Sequence, residues 1–152
     1  MLKVKVHGLS DLAAKLKALP AEVASKRGGP LGRALRDAGK VIGDEAKRGY
    51  QTMPKLDSDN RDDYTRTNNL AESVRVKRDR NATDVTERIV VRPYARYYVP
   101  VEFGSELMPA RPELRKAFET KKFEALGIFK TKLAIGIERA ARKAARMGLI
   151  RG

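Results

Sequence analysis

The sequence predicts an α+β fold: a small antiparallel sheet packed by helices, with a long basic C-terminal helix, in one domain of 152 residues. Three observations carry this. Short runs alternate apolar and polar residues with period two, the mark of half-buried strands. Longer runs space apolar residues by three and four, the mark of amphipathic helices. Hydrophobic residues make up 41% of the chain, enough to close a core at this length.

Residues 2–6 set Leu2, Val4 and Val6 against Lys3 and Lys5, a strand that Gly8 ends. Ser10 suits the N-cap of a short helix with Leu12, Leu16 and Leu19 on one side, and Pro20 both ends it and can open a second. Gly28-Gly29-Pro30 breaks the chain. Leu31, Leu35, Ala38, Ile42 and Ala46 then define an amphipathic helix running to about Gly49.

Residues 51–69 have no periodicity and are crowded with Asp, Asn, Thr and Pro, which predicts a long mobile polar loop. Its candidate docking residues are Asp57, Asp59, Asp62, Asp63 and Tyr64. A calcium loop of the EF-hand kind needs Gly at its sixth position and Glu at its twelfth. Counted from Asp57, those positions hold Asp62 and Asn68, so the acidic run does not read as that site.

Val74–Val76 and Val85–Val91 read as two hairpin strands, with Val85, Glu87, Ile89 and Val91 sharing a face and Pro93 closing the second. Tyr94, Tyr97, Tyr98 and Phe103 follow, four of the nine aromatic residues of the chain within ten positions. Such a cluster builds either core or an interface, because Tyr joins an apolar body to a polar tip. Glu102 lies among apolar neighbours and, once buried, needs a partner such as Arg111 or Arg96. Gly104 permits a turn that other residues resist, and Pro109 and Pro112 fix the approach to the last helix.

That helix is expected from Pro112 to about Met147, with a kink or break near Gly127. Leu126, Phe129, Leu133, Ile137, Ala140 and Ala144 form its apolar stripe. Lys132, Arg139, Arg142, Lys143 and Arg146 form a separate basic face, on whose side Ile128 and Ile135 also fall. A second apolar contact on one helix points to packing against another subunit.

Charge is unevenly placed. The formal net charge of +14 divides into +6 for residues 1–50, −1 for 51–69, +2 for 70–105 and +7 for 106–152. The partner this favours is acidic. Base-reading by aromatic stacking is disfavoured, since aromatics are 6% of the chain and Trp is absent. Without Cys there is neither disulfide framework nor thiol chemistry, and with His7 as the one histidine there is no multi-histidine metal site. Gly28–Gly32 lacks the lysine spacing of a phosphate-binding loop, and no G-x-S-x-G marks a serine nucleophile. No catalytic residue, cofactor or metal is expected. The N-terminus lacks the apolar run of a signal peptide, and no segment has the length of a membrane span. Two other readings compete: a basic nucleic-acid-binding protein using the C-terminal helix face, and a small nuclease or toxin dependent on His7.

The order of short motifs resembles a family. Gly8-Leu9-Ser10-Asp11-Leu12 opens a helix; Thr67-Asn68-Asn69-Leu70-Ala71-Glu72-Ser73 precedes the strands; YARYYVPVEFGS (94–105) follows them; and ARPELRKAF (110–118) opens the last helix. Together these resemble the tail-component family of long-tailed bacteriophages, the tail-completion, head–tail joining and minor tail neck proteins. Asn68 stands where a Gly is usual and Ser105 where a Thr is usual. The resemblance implies a non-enzymatic virion component of the neck or upper tail, assembled in the host cytoplasm. It implies a homo-oligomeric ring, six copies being expected, docked to tail terminator, tail tube, connector or head-completion proteins, with non-specific contact to passing DNA. It also places the aromatic corner near a subunit contact, with Tyr94, Tyr97, Tyr98, Glu102, Phe103, Arg111, Ile128 and Ile135 as interface candidates.

Overall fold

The computed structural model describes residues 9–18, 29–53, 69–79, 87–106 and 108–148. Five helices and two strands occur among them: α1 (Leu9–Lys17), α2 (Pro30–Thr52), α3 (Asn69–Ser73), β1 (Val74–Arg78), β2 (Ile89–Pro93), α4 (Tyr98–Phe103) and α5 (Glu113–Arg146). The fold is therefore mixed α+β and mostly helical, with one small antiparallel sheet and a long C-terminal helix, as the periodicities predict. The strand expected at 2–6, the helix expected from Pro20 and most of the loop at 51–69 lie outside the described residues.

The chain divides into two compact units, one of residues 1–38, 78–89 and 126–152, the other of residues 39–77 and 90–125. In the first, Ala34, Leu133 and Ile137 are buried together, with Leu31, Phe129, Ala140 and Ala141 against them. Here the stripe read from the sequence of α5 meets the start of α2. Small residues set the spacing: a Cβ on Gly136 would lie 2.9 Å from Cβ of Pro30. In the same unit Arg78 Nε donates to both oxygens of Glu87 at 2.9 and 3.0 Å.

In the second unit, Ala46, Tyr50, Leu70, Ala71, Val74, Val101 and Ala117 form the core. Gly43 faces Val76, Val91 and Val74, the nearest at 3.1 Å from where its Cβ would stand. Of the line read from the sequence in α2, Ala38 and Ala46 are buried while Leu31, Leu35 and Ile42 are half-buried; Ala34 and Tyr50, outside that line, are buried as well.

The hairpin register follows from its end bonds: Asp79 N–H donates to Arg88 C=O at 2.8 Å and Tyr94 N–H to Ser73 C=O at 3.1 Å. Antiparallel pairing between these sets Val74 opposite Pro93, Arg75 opposite Arg92, Val76 opposite Val91 and Lys77 opposite Val90. The second strand begins at Ile89, so Glu87 is not part of it, and Val85 lies outside the described residues. Glu87 is held instead by its ion pair with Arg78. Finally, α5 is unbroken from Glu113 to Arg146, so the break considered at Gly127 does not occur. A glycine weakens a helix without stopping it, and Thr131 Oγ1 donates to the Gly127 carbonyl at 3.1 Å.

Candidate functional site

The candidate residues fall into two groups, each within its own unit. The first is the aromatic corner, residues 94–112. A bend and turn at residues 95–97 lead into α4, a helix of six residues that sequence periodicity did not mark. Its Pro100 sits in the first turn, where a missing N–H costs nothing. Gly104 ends it with φ +82, and a Cβ there would lie 3.0 Å from the Ala110 nitrogen. Ser105 and Met108 exchange backbone bonds of 2.8 and 3.2 Å, and Arg111 N–H returns to Val101 C=O at 2.7 Å. The turn that Gly104 was expected to permit is present.

Glu102 is buried at the centre of this corner, 4% exposed. Oε2 accepts from the Tyr50 hydroxyl at 3.0 Å and from Leu114 N–H at 3.1 Å, and Oε1 accepts from Arg115 N–H at 2.9 Å. The sequence pointed to Arg111 or Arg96; the groups that meet the carboxylate are a phenol and the first turn of α5. A helix start carries unpaired N–H groups and partial positive charge, so a carboxylate is well placed there. The remaining amides of the turn are also met: Glu113 N–H donates to Arg111 C=O at 2.9 Å and Lys116 N–H to Pro112 C=O at 3.0 Å. Burial, and then the charge and hydrogen bond of Glu102, push the Tyr50 hydroxyl far above the usual phenol range, so it remains a donor. Sequence patterning missed Tyr50, since its partner is 52 residues away.

Around this buried centre the other corner candidates are exposed or half-buried. Tyr94, Tyr97 and Phe103 are exposed, Phe103 by 61%, and Val99 is exposed beside them. Tyr98 is half-buried against the core. Arg111 is partly buried. Lys77 Nζ lies 4.4 Å and Arg92 Cζ 4.7 Å from the Tyr94 ring centre. Hydrogen bonding to Tyr94 also raises the Arg92 guanidinium above its ordinary range. Two residues not singled out from the sequence, Phe118 and Phe123 on α5, are exposed by 50% and 67%. They sit in a run of Lys and Glu that reads as a solvated helix face.

The second group lies on the part of α5 that belongs to the other unit. Lys132, Arg139, Arg142, Lys143 and Arg146 are all exposed, and none forms an ion pair among the described residues. Ile135 is 39% exposed and Ile128 half-buried. Asp57, Asp59, Asp62, Asp63 and Tyr64 lie outside the described residues. Among the described residues no group of His, Cys, Asp or Glu is arranged to hold a metal ion. No described helix is long and apolar enough to cross a membrane.

Comparison with known proteins assigns the chain. Residues 10–104 match the profile of the family described as "Bacteriophage HK97-gp10, putative tail-component". This is well over half of the sequence, and the chain belongs to that family of phage tail components. The matched stretch holds α3, the hairpin and the corner as far as Gly104, and stops short of α5. No curated protein and no solved structure matches the chain.

The family residues now have physical roles. Leu70 and Ala71 are core. Ser73 Oγ donates to Leu70 C=O at 2.7 Å and accepts from Tyr94 N–H at 3.3 Å, tying the short helix to the corner. Glu102 ties the corner to α2 and α5.

Proposed function

We propose that this phage tail component is a non-enzymatic structural protein of the neck or upper tail, acting in tail completion or head–tail joining. Copies associate into a ring of six in this reading, which docks to connector, tail-terminator, tail-tube or head-completion proteins, is assembled in the host cytoplasm and ends in the virion. The observation that carries it is the family match over residues 10–104, whose last part is a corner with Tyr94, Tyr97, Val99 and Phe103 exposed around a buried anchor. Aromatic side chains offer large contact area with few rotatable bonds, which suits a subunit contact. In this reading Ile128 and Ile135 on α5 offer an apolar contact of their own, Arg111 flanks the corner, and Asp57, Asp59, Asp62, Asp63 and Tyr64 belong to the docking segment.

The experiment is light scattering on the purified chain, alone and with its tail proteins. A ring-sized oligomer is expected, and Phe103→Ser should weaken it while leaving the fold intact. A monomer at all accessible concentrations, unchanged by the tail proteins, would overturn the ring.

A second reading concerns the basic face. Five exposed cations without carboxylate partners among the described residues favour an anionic partner, either an acidic neighbour protein or passing DNA. Charge reversal at Arg139, Arg142 and Lys143 is expected to abolish joining of heads to tails while the subunit still folds. Normal yields of infectious particles from that variant would remove the face from the assembly mechanism. Retention of a DNA duplex by the wild type at physiological salt, lost on reversal, would assign the face to nucleic acid.

A further inference from the structure

The outer face of the β1–β2 hairpin carries cations without counter-ions among the described residues. Pairing sets Arg75 directly across from Arg92, and Lys77 and Tyr94 share their side of the sheet. All four are exposed, while Val74, Val76 and Val91 turn the other way against Gly43. Like charges directly opposed across strands repel. None of the three cations meets a carboxylate among the described residues. Lys77 and Arg92 are gathered on the Tyr94 ring instead, and Arg75 bonds the carbonyls of Glu72 and Val74. The cost of ordering long side chains has thus been met before any partner arrives, and the Tyr94 ring is engaged by cations rather than offered to a nucleobase.

The partner should be an acidic polypeptide, and this chain contains one. Asp57-Ser58-Asp59-Asn60-Arg61-Asp62-Asp63 holds four of its nineteen acidic residues in seven positions, the densest such run in a sequence of net charge +14. We propose that the outer hairpin face of one copy receives the segment Asp57–Asp63 of a second copy of this chain. The contact is heterologous, one surface meeting a different one, which is the kind that closes into rings. It rests on the ring reading above.

The test is a charge swap read by light scattering at about 50 mM salt, where surface charges are weakly screened. K77E/R92E and, separately, D57K/D59K are each expected to weaken self-association about tenfold, consistent with a few exposed ion pairs turned repulsive. Arg75 is left unchanged because its backbone bonds hold the α3–β1 junction. The chain carrying all four substitutions is expected to associate again. Unaltered circular dichroism and urea midpoints establish that the variants are folded. Self-association that survives K77E/R92E overturns this contact and leaves the ring standing, and it also covers the case in which the segment folds back on its own chain. Loss in K77E/R92E without rescue in the four-fold variant overturns the pairing in favour of another anion. A wild type that remains monomeric overturns the ring and the contact together.

Discussion

At the scale of single residues, Glu102 is the acidic side chain that the described core encloses. It is tolerated because three donors converge on it, two of them backbone amides at a helix start. Glu102→Ala would leave the phenol and both amides without an acceptor, and should cost about 2–4 kcal/mol in urea denaturation. Tyr50→Phe removes one donor and should cost about 1 kcal/mol. Its pH dependence has a definite sign. The hydroxyl is held above its unfolded value, so the folded state keeps this proton more tightly. The stabilisation is complete below about pH 10, the unfolded phenol value, and fades as pH rises beyond it. The difference between wild type and Tyr50→Phe should therefore be constant from about pH 7 to 9 and narrow toward about pH 11. A gap that widened with pH would contradict the arrangement. None of this was legible in the sequence beyond the suspicion that Glu102 needed a partner. Arginines are the obvious partners on a string of letters, whereas the amides of a helix start become visible only once the chain has folded back.

At the scale of elements, long periodic segments were readable and short ones were not. The helix expected from Leu31 to about Gly49 spans Pro30–Thr52, and the last helix spans Glu113–Arg146. Their spacings repeat often enough to outweigh local exceptions. The six-residue α4 contains a proline and completes less than two turns, too little for any period to show. Two glycines in α5, alike in the sequence, separate in the fold. A Cβ at Gly127 would meet nothing within 4 Å, whereas one at Gly136 would press on Pro30 at 2.9 Å. Gly127→Ala should raise stability by up to about 1 kcal/mol through helix propensity. Gly136→Ala should lower it by about 1–2 kcal/mol, overpacking outweighing that gain. Thermal melts of the two variants should move in opposite directions, and a shared direction would refute this account of their packing.

At the scale of the whole molecule, the family profile ends at Gly104 while the fold does not. Residues beyond it supply Ala117 to one core and Leu133 and Ile137 to the other. A chain truncated after Gly104 should therefore lose cooperative unfolding, visible as a broad, featureless melt. The first-turn amides of α5 carry a further consequence. In most helices such amides are open to solvent and exchange with deuterium quickly, because no carbonyl of their own helix shields them. Those of Leu114 and Arg115 are bonded instead to a carboxylate sunk in the core. They should trade hydrogen for deuterium only when the surrounding unit opens, as slowly as amides in mid-helix, so the beginning of this helix serves as a clock for the opening of that unit.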